Sequence, residues 1–525
     1  MALPPENNSL SEKTPSLSTV YPLSTPLLPM SLPKLDPLQL PEYLEQHPET
    51  CSRYPYLPDL ARIEQACYLL KTAPPPVPEV IEKRIINPTL NLLSVRWSGL
   101  PELLTNHDSR PVQQDAHVLV FRKPATEEVL VLEPSGHDLL ALKLVSEEVD
   151  SRQAAKEGGV SLGAIDDILY IAIHRGLLLA PESKIVRGPD FPRGVLTDPD
   201  RFTAPTFTLQ WHLTQVCDLH CRHCYDRSDR KALELDEAIR VLDDLYDFCR
   251  QHHVFTQVTF TGGNPMLYPH FNELYKEAAD RGFMLAVLGN PMPRHRIEEM
   301  LAIQKPEFYQ VSLEGLRDHN DYIRGEGHFE RIFDFLDLLK ELDIFSMVML
   351  TLTRANMGEV LELAELLRDR VNLFTFNRLA MVGEGADLAS VDPKDFPDFL
   401  ERYMEASEHN PSMSLKDNFF NLLRHKQAMP YIGGCAGYGC GAAFNFVSLL
   451  PDGEVHACRK LPSPIGNIGE SSLFEIYHGQ AAQRYRGGSS ACRDCEIRPV
   501  CGSCLAVMYG FGKDIFNELD PYCFR

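Results

Sequence analysis

The sequence predicts an α/β protein: a partial (β/α)6, TIM-like barrel with a cysteine-rich C-terminal extension and an N-terminal α+β, winged-helix-like accessory domain. Three observations carry this. Six apolar, strand-length runs, at 207–214, 258–261, 284–288, 308–313, 345–353 and 373–379, alternate with helical stretches, the signature of a parallel sheet. Leu235, Ala238, Ile239, Leu242, Leu245, Tyr246 and Cys249 recur at spacings of three and four, which puts them on one buried helical face and gives Cys249 a packing role. Before this alternation, strand-like runs at 117–121 and 129–132 sit beside helical patterns at 136–145 and 165–175. In a parallel barrel, chemistry belongs at the C-terminal strand ends.

The chain has 525 residues and a net charge of -22. That length suits about three domains, and the balance describes an acidic, soluble protein. A nucleic-acid partner wants a basic face, and none is present. No apolar run is long enough to span a bilayer, and residues 1–31 lack the pattern of a secretory signal, so a cytoplasmic location is expected. Eleven of the fourteen cysteines fall into tight groups from Cys217 onward. This is metal-ligand usage in a reducing compartment. Cys51 and Cys67 stand apart and read as core residues.

The chain divides by composition. Residues 1–34, rich in Pro, Ser and Leu, read as a mostly disordered lead-in. Residues 35–180 form a first folded domain, with helical patterning at Leu60, Ile63, Cys67 and Leu70. The proline-rich stretch 181–206 reads as a linker. Residues 207–430 make the barrel and residues 431–525 the extension.

Directly after the first strand lies Cys217-Asp218-Leu219-His220-Cys221-Arg222-His223-Cys224-Tyr225. Thiolates are the usual ligands of iron–sulfur clusters, and three of them at C-x3-C-x2-C spacing can hold three irons of a 4Fe-4S cluster, leaving the fourth iron open. The motif resembles the signature of the radical S-adenosylmethionine (SAM) enzymes, with His223 at the aromatic position before the third cysteine and Tyr225 after it. The resemblance implies that SAM chelates the open iron and that an electron from the cluster releases a 5'-deoxyadenosyl radical. A structural zinc is the competing reading, with His212, His220 and His223 nearby, although zinc wants four ligands and no fourth is evident in this loop.

Later strand ends extend the resemblance. Thr261-Gly262-Gly263-Asn264-Pro265 resembles the segment that binds the SAM amino group, its glycines allowing close backbone approach and free amides. The family usually carries Glu where this chain has Asn264. Ser312 would contact the ribose and Arg324 the SAM carboxylate, a charge-assisted pairing suited to a guanidinium. Gly289-Asn290-Pro291 and Asn377-Arg378 fit loops near a ligand without being specific. Glu314 and Glu384 are candidate bases between which spacing does not choose, so no catalytic residue is assigned.

From Cys435 the chain resembles the SPASM extension of radical SAM peptide maturases. By that resemblance Cys435, Cys440, Cys458 and Cys504 would hold one auxiliary cluster, and Cys492, Cys495, Cys501 and Cys523 the other. A four-thiolate zinc site is again the alternative. The Cys501–Cys504 gap is one residue shorter than usual. Formylglycine-forming relatives place an Asp after the third of these cysteines; Arg459 stands here, which argues against that reaction.

The N-terminal domain resembles, over Leu57–Glu64 and Leu119–Arg122, the partner proteins of methanobactin biosynthesis and, from Leu132 to Leu178, the peptide-recognition modules of ribosomal peptide maturases. A domain that only covers the barrel is the plainer alternative. Taken together, the resemblance implies a SPASM radical SAM maturase acting on a ribosomally made precursor peptide, closest in flavour to the thio(seleno)oxazole, or selenobiotic, group and its azole-type chemistry at Cys or Sec. Its cofactors would be one SAM-binding and two auxiliary 4Fe-4S clusters with SAM, and its electron donor a ferredoxin or flavodoxin. The auxiliary clusters would take an electron from the substrate radical or bind the peptide. Two rivals stand beside this: a SPASM enzyme acting on a protein or a tetrapyrrole-like small molecule, and a non-catalytic electron-transfer or scaffold protein.

Overall fold

A computed structural model describes residues 15–29, 32–124 and 126–525. The chain forms two compact units, the first ending at Glu182 and the second running Ser183–Arg525.

The first unit carries β1 (Ile85–Ile86), β2 (Asn91–Ser98), β3 (Val112–Arg122), β4 (Val129–Leu132) and β5 (Leu178–Leu179). Strands β2, β3 and β4 make an antiparallel sheet in that order, and β1 pairs with β5. Alternate residues of β3 serve two cores, as the period of two along a strand requires. Val118 and Val120 pack with Leu57, Leu60 and Ile63 of the helix Leu57–Thr72. Leu119 and Phe121 face the other way, against the helices Gly136–Ser146, Ser151–Gly158 and Leu162–Arg175. Ser135, Asp150 and Ser161 start these helices, each side chain accepting an orphan amide. The sequence reading lacks β2 because this edge strand buries only Val95, which leaves no apolar alternation to detect.

Part of the expected lead-in lies outside the described residues, but 15–29 is packed, not free. Val20 and Tyr21 are sealed, and the amides of Leu23 and Ser24 donate to the buried carboxylate of Glu64 at 2.6 and 3.1 Å. Cys51 and Cys67 belong to this core.

In the second unit β6 (Thr206–Thr214), β7 (Phe255–Gly262), β8 (Met284–Leu288), β9 (Phe308–Ser312), β10 (Ser346–Leu352) and β11 (Leu373–Arg378) are parallel neighbours in chain order. Helices such as Leu235–His252 and His328–Glu341 lie between them. The sheet continues past β6 through β12 (Phe446–Leu449), parallel to it, and the antiparallel β13 (Glu454–His456) and β14 (Pro464–Asn467). These three strands come from the cysteine-rich region, so that region is an extension of the barrel sheet.

The strands alternate sharply. Leu209, Trp211, Val258, Phe260, Val348 and Leu350 are sealed in the apolar core. Their neighbours Thr208, Gln210, Thr259, Gln310, Met349 and Asn377, drawn from five strands, line one common cavity, so the sheet curves around it. Cys249 is buried on the inner face of its helix.

Residues 183–206 are an integral part of the second unit and not a bare linker. Arg187 N donates to the Phe202 carbonyl at 2.8 Å and Ala204 N to Ile185 at 2.9 Å, and Ile185, Phe202 and Ala204 are buried.

At the end of β11, Arg378 is buried between two carboxylates, Asp417 at 2.8 Å and Asp520 at 3.1 Å. Asp520 also accepts the amides of Cys504 and Tyr522, both at 3.0 Å, and so ties the last cysteine-bearing segments to the barrel. Arg378→Leu leaves two buried carboxylates uncompensated and is expected to cost about 3–5 kcal/mol, read as a lowered denaturation midpoint.

Candidate metal centre and substrate cavity

The β6–β7 junction is built by close approach. Gly262 has φ +131°, and a Cβ at Gly262 would run into the Thr214 carbonyl, one at Gly263 into the Val216 carbonyl. Both contacts are with the backbone leading into Cys217, so the glycines seat the cysteine loop. The amides expected to be free are used there: Gly263 N donates to Thr214 O and Asn264 N to Val216 O, each at 2.8 Å.

Cys217, Cys221 and Cys224 line one cavity of about 520 Å³ together with His223, Tyr225, Gly262, Gly263, Ser312 and Arg324. Asn264 and Pro265 do not line it. Asn264 is fully buried; its amide nitrogen donates to Asp218 at 3.1 Å and its oxygen faces the Met266 amide. Through these bonds Asn264 braces the cysteine loop, and Pro265 starts the short helix behind it. Asn290, unspecific in sequence, donates to the same Asp218 oxygen at 2.7 Å and approaches the Cys217 sulfur at 3.5 Å.

Arg324, expected to face a carboxylate of SAM, is engaged by one within the chain. It donates to Glu314 at 2.6 and 3.0 Å and points another nitrogen at the Cys221 sulfur, 3.6 Å away. Burial opposes ionisation of Glu314, but His223 and Arg324 beside it hold its carboxyl well below the usual carboxylate range. Glu314 also accepts the Thr351 amide at 2.8 Å. A sealed, fully bonded carboxylate is a brace and not a base. Glu384 is exposed and pairs with Arg227 at 3.5 Å. Behind Glu314, Asn320 donates to His328 at 3.1 Å. Burial, with Arg324 nearby, pushes His328 down to about 3. The Nδ1 of His223 is buried and has no partner among the described residues.

Cys435, Cys440, Cys458 and Cys504 line a second cavity, of about 700 Å³. Burial pushes Cys458 up to about 11, with Cys440 and Cys435 adding to it. Burial likewise raises Cys501 and Cys523, and in both Cys492 and Cys495 contribute. Cys435, Cys440, Cys458 and Cys504 thus share one cavity, and Cys492 and Cys495 lie close enough to Cys501 and Cys523 to act on both. The backbone joins the two groups of cysteines, Cys440 N donating to Cys501 O at 3.1 Å.

All fourteen cysteines are free thiols. Among the described residues no three His, Cys, Asp or Glu side chains converge tightly enough to hold one ion. Each thiolate of an iron–sulfur cluster binds its own iron, and three thiols lining one cavity with four lining the next supply that donor chemistry.

The two cavities share Gln310, Met349, Asn377, Arg378, Arg459 and Lys460 in their linings. Arg459, next to Cys458, donates to the Thr261 hydroxyl at 3.0 Å. Lys460 is pushed down to about 8 by burial and by Lys416. Nothing in the local sequence of Lys460 announces this placement.

Comparison with known proteins agrees with this geometry. Residues 211–367 match the radical SAM superfamily, and residues 440–504 the SPASM iron-sulfur cluster-binding domain. The chain is 26% identical over 342 residues to an AdoMet-dependent heme synthase of Methanosarcina barkeri, covering 60% of this chain and 95% of that protein. It is 27% identical over 311 residues to the antilisterial bacteriocin subtilosin biosynthesis protein AlbA of Bacillus subtilis, covering 56% and 66%. In fold it is similar to SuiB of Streptococcus suis, solved with its precursor peptide SuiA, with a TM-score of 0.51, 16% identity, and coverage of 77% of this chain and 96% of that one. The chain is an enzyme that carries a radical SAM domain followed by a SPASM domain. Its cofactors are 4Fe-4S clusters and SAM.

Two outcomes follow from this geometry. Gly263→Ala displaces the Cys217 loop, so reconstituted protein should bind about eight irons in place of about twelve, at four per cluster, by iron and sulfide assay. Because His328 is neutral when folded and titrates normally when unfolded, the unfolded state binds the extra proton and stability falls as pH drops below about 6.5. The loss from pH 8 to pH 5 is about 2 kcal/mol from this group, and His328→Gln should flatten the pH dependence of the denaturation midpoint by that amount.

Proposed function

We propose that this enzyme matures a ribosomally synthesised precursor peptide. The observation that carries the reading is the pair of adjoining cavities, one lined by the Cys217, Cys221 and Cys224 thiols and the other by four C-terminal thiols. A residue threaded into the shared lumen lies between two cysteine groups, as a maturase that oxidises one side chain of a longer chain requires. Cys217, Cys221 and Cys224 would hold the SAM cluster, Cys435, Cys440, Cys458 and Cys504 one auxiliary cluster, and Cys492, Cys495, Cys501 and Cys523 the other. When loaded, these groups supply reductive cleavage of SAM and hydrogen abstraction from the substrate.

The chain's own residues do the positioning. Gly262, Gly263, Asn264 and Asn290 seat the cysteine loop; Glu314 and Arg324 brace it from the far side; Ser312, His223 and Tyr225 line the space for SAM. Residues 207–430 serve as the barrel and 431–525 as the SPASM domain. Residues 35–180, within the first unit, serve as a winged-helix-like peptide-recognition domain, the edge strands β2 and β4 offering backbone groups to an extended peptide. Support comes from SuiB, crystallised with a precursor peptide and alike in fold over more of this chain than the second unit spans, and from AlbA, a bacteriocin biosynthesis protein. A ferredoxin- or flavodoxin-type protein would supply the electron. No helix among the described residues is long and apolar enough to cross a membrane.

A second reading, a tetrapyrrole-like substrate, is favoured by the heme synthase relative, 95% of which is covered. A side-chain deuterated candidate peptide and a carboxylated tetrapyrrole separate the two. With reconstituted, reduced protein we expect 5'-deoxyadenosine that carries deuterium from the peptide, and none in the Cys217, Cys221, Cys224→Ala variant; ring closure at Cys or Sec would appear as a mass shift of the peptide. Modification of the tetrapyrrole alone would replace the peptide reading, and loaded clusters that never cleave SAM would mark an electron carrier.

A further inference from the structure

Arg187 lies in the stretch whose sequence suggests only a linker, yet it is 5% exposed. Its guanidinium lies over the rings of Phe444 and Phe191, 3.9 and 4.5 Å from their centroids. It donates to three backbone carbonyls: Cys440 at 2.8 Å, Arg486 at 3.0 Å and Tyr438 at 3.4 Å. Arg498, 4% exposed, lies over the same Phe191 ring at 5.0 Å and donates to Gly487 O at 2.6 Å. It also packs against Gly502, where a Cβ would collide with its guanidinium and sit 3.4 Å from the Cys440 Cβ. Arg486 completes the group, donating to Ala443 O and Tyr477 O at 2.8 and 2.7 Å.

Carbonyl oxygens satisfy the N–H groups of these three cations but carry no net charge. Among the described residues none of the three forms an ion pair with a carboxylate, whereas Arg378, buried to the same degree, has two. Burying like charges side by side without an anion is costly. Both cations converge on Cys440: Arg187 bonds its carbonyl, and Arg498 packs on Gly502, where a Cβ would lie 3.4 Å from the Cys440 Cβ. Four thiolates around one cluster make that group net negative, and charge near a cluster is one of the levers that set its potential.

We propose that Arg187 and Arg498 are the counter-charge of the cluster held through Cys440, positioning residues that raise its reduction potential. The proposal rests on the reading of Cys435, Cys440, Cys458 and Cys504 as cluster ligands. One-electron reduction makes the cluster more negative, so a fixed cation beside it favours the reduced form. A segment outside the cysteine-rich region is thereby part of the auxiliary site.

The test is a potentiometric titration, followed by electron paramagnetic resonance, of anaerobically reconstituted full-length protein in the Cys217, Cys221, Cys224→Ala background, where only auxiliary signals remain. The signal abolished by Cys440→Ala identifies the cluster in question. In Arg187→Met and Arg498→Met its midpoint is expected to move to more negative potential, with the other auxiliary cluster unmoved and Arg187→Lys close to the parent. A full iron complement with an unchanged midpoint in both Met variants overturns the proposal. Should Arg187→Met lose that cluster's iron, Arg187→Lys decides. Retained iron and a parental midpoint in Arg187→Lys support a counter-charge, and loss there too makes Arg187 a hydrogen-bonding brace and overturns it. If the background chain binds no iron at all, the ligand assignment itself fails, an outcome distinct from an unmoved midpoint.

Discussion

Everything about the C-terminal half hangs on the burial of Arg378 between Asp417 and Asp520. An ion in a low-dielectric interior is tolerated only when it is paired and hydrogen-bonded, so this triad holds the end of β11, the segment after it and the last residues of the chain in one arrangement. Asp520 passes that arrangement on to the Cys504 amide and the Tyr522 amide. The curved sheet and the cysteine-rich extension are therefore one body, its continuity visible also in β12, which adds a parallel strand beside β6.

The same logic of charge runs through the site. Glu314 is ionised inside the protein because Arg324 and His223 face it, and Arg324 in turn reaches toward the Cys221 sulfur. Lys460 and Arg459 line both cavities, on the side of the thiols at Cys435 and Cys504. Arg187 bonds the Cys440 carbonyl, and Arg498 packs on Gly502 beside it. Cations are thus distributed around groups of thiols that become anionic when they bind metal, since cluster ligation takes the thiolate form.

Much of the site was legible because its chemistry is carried by spacing. Cys217, Cys221 and Cys224 sit within one short loop, and a loop of eight residues has no room to part them. The glycines of the β6–β7 junction were legible as a place of close approach but not as to what approaches: a missing Cβ records only that something comes near, and here it is the Thr214 and Val216 backbone. Arg324 was legible as a cation at a strand end. That its partner is Glu314 was not, because the two are brought together by a turn between β9 and the helix Arg317–Arg324. Strand β2 and the packed stretch 15–29 escaped detection for another reason: each buries few side chains, and hydrophobic periodicity reports burial and nothing else.

By itself the sequence determined the parallel α/β plan, the six barrel strands to within a few residues, the loop that gathers three thiols and the presence of eight more. Those features are local in the chain: alternation, helical spacing and short-range cysteine spacing follow from the geometry of a strand, a helix and a loop. Tertiary structure alone decided which distant thiols share a cavity, that Asn264 braces a loop through Asp218, that Glu314 is a sealed counter-ion, and that Arg187 sits on Cys440, some 250 residues away along the chain. Charge compensation and close packing act between residues that meet only when the chain has folded, so no pattern along the sequence encodes them.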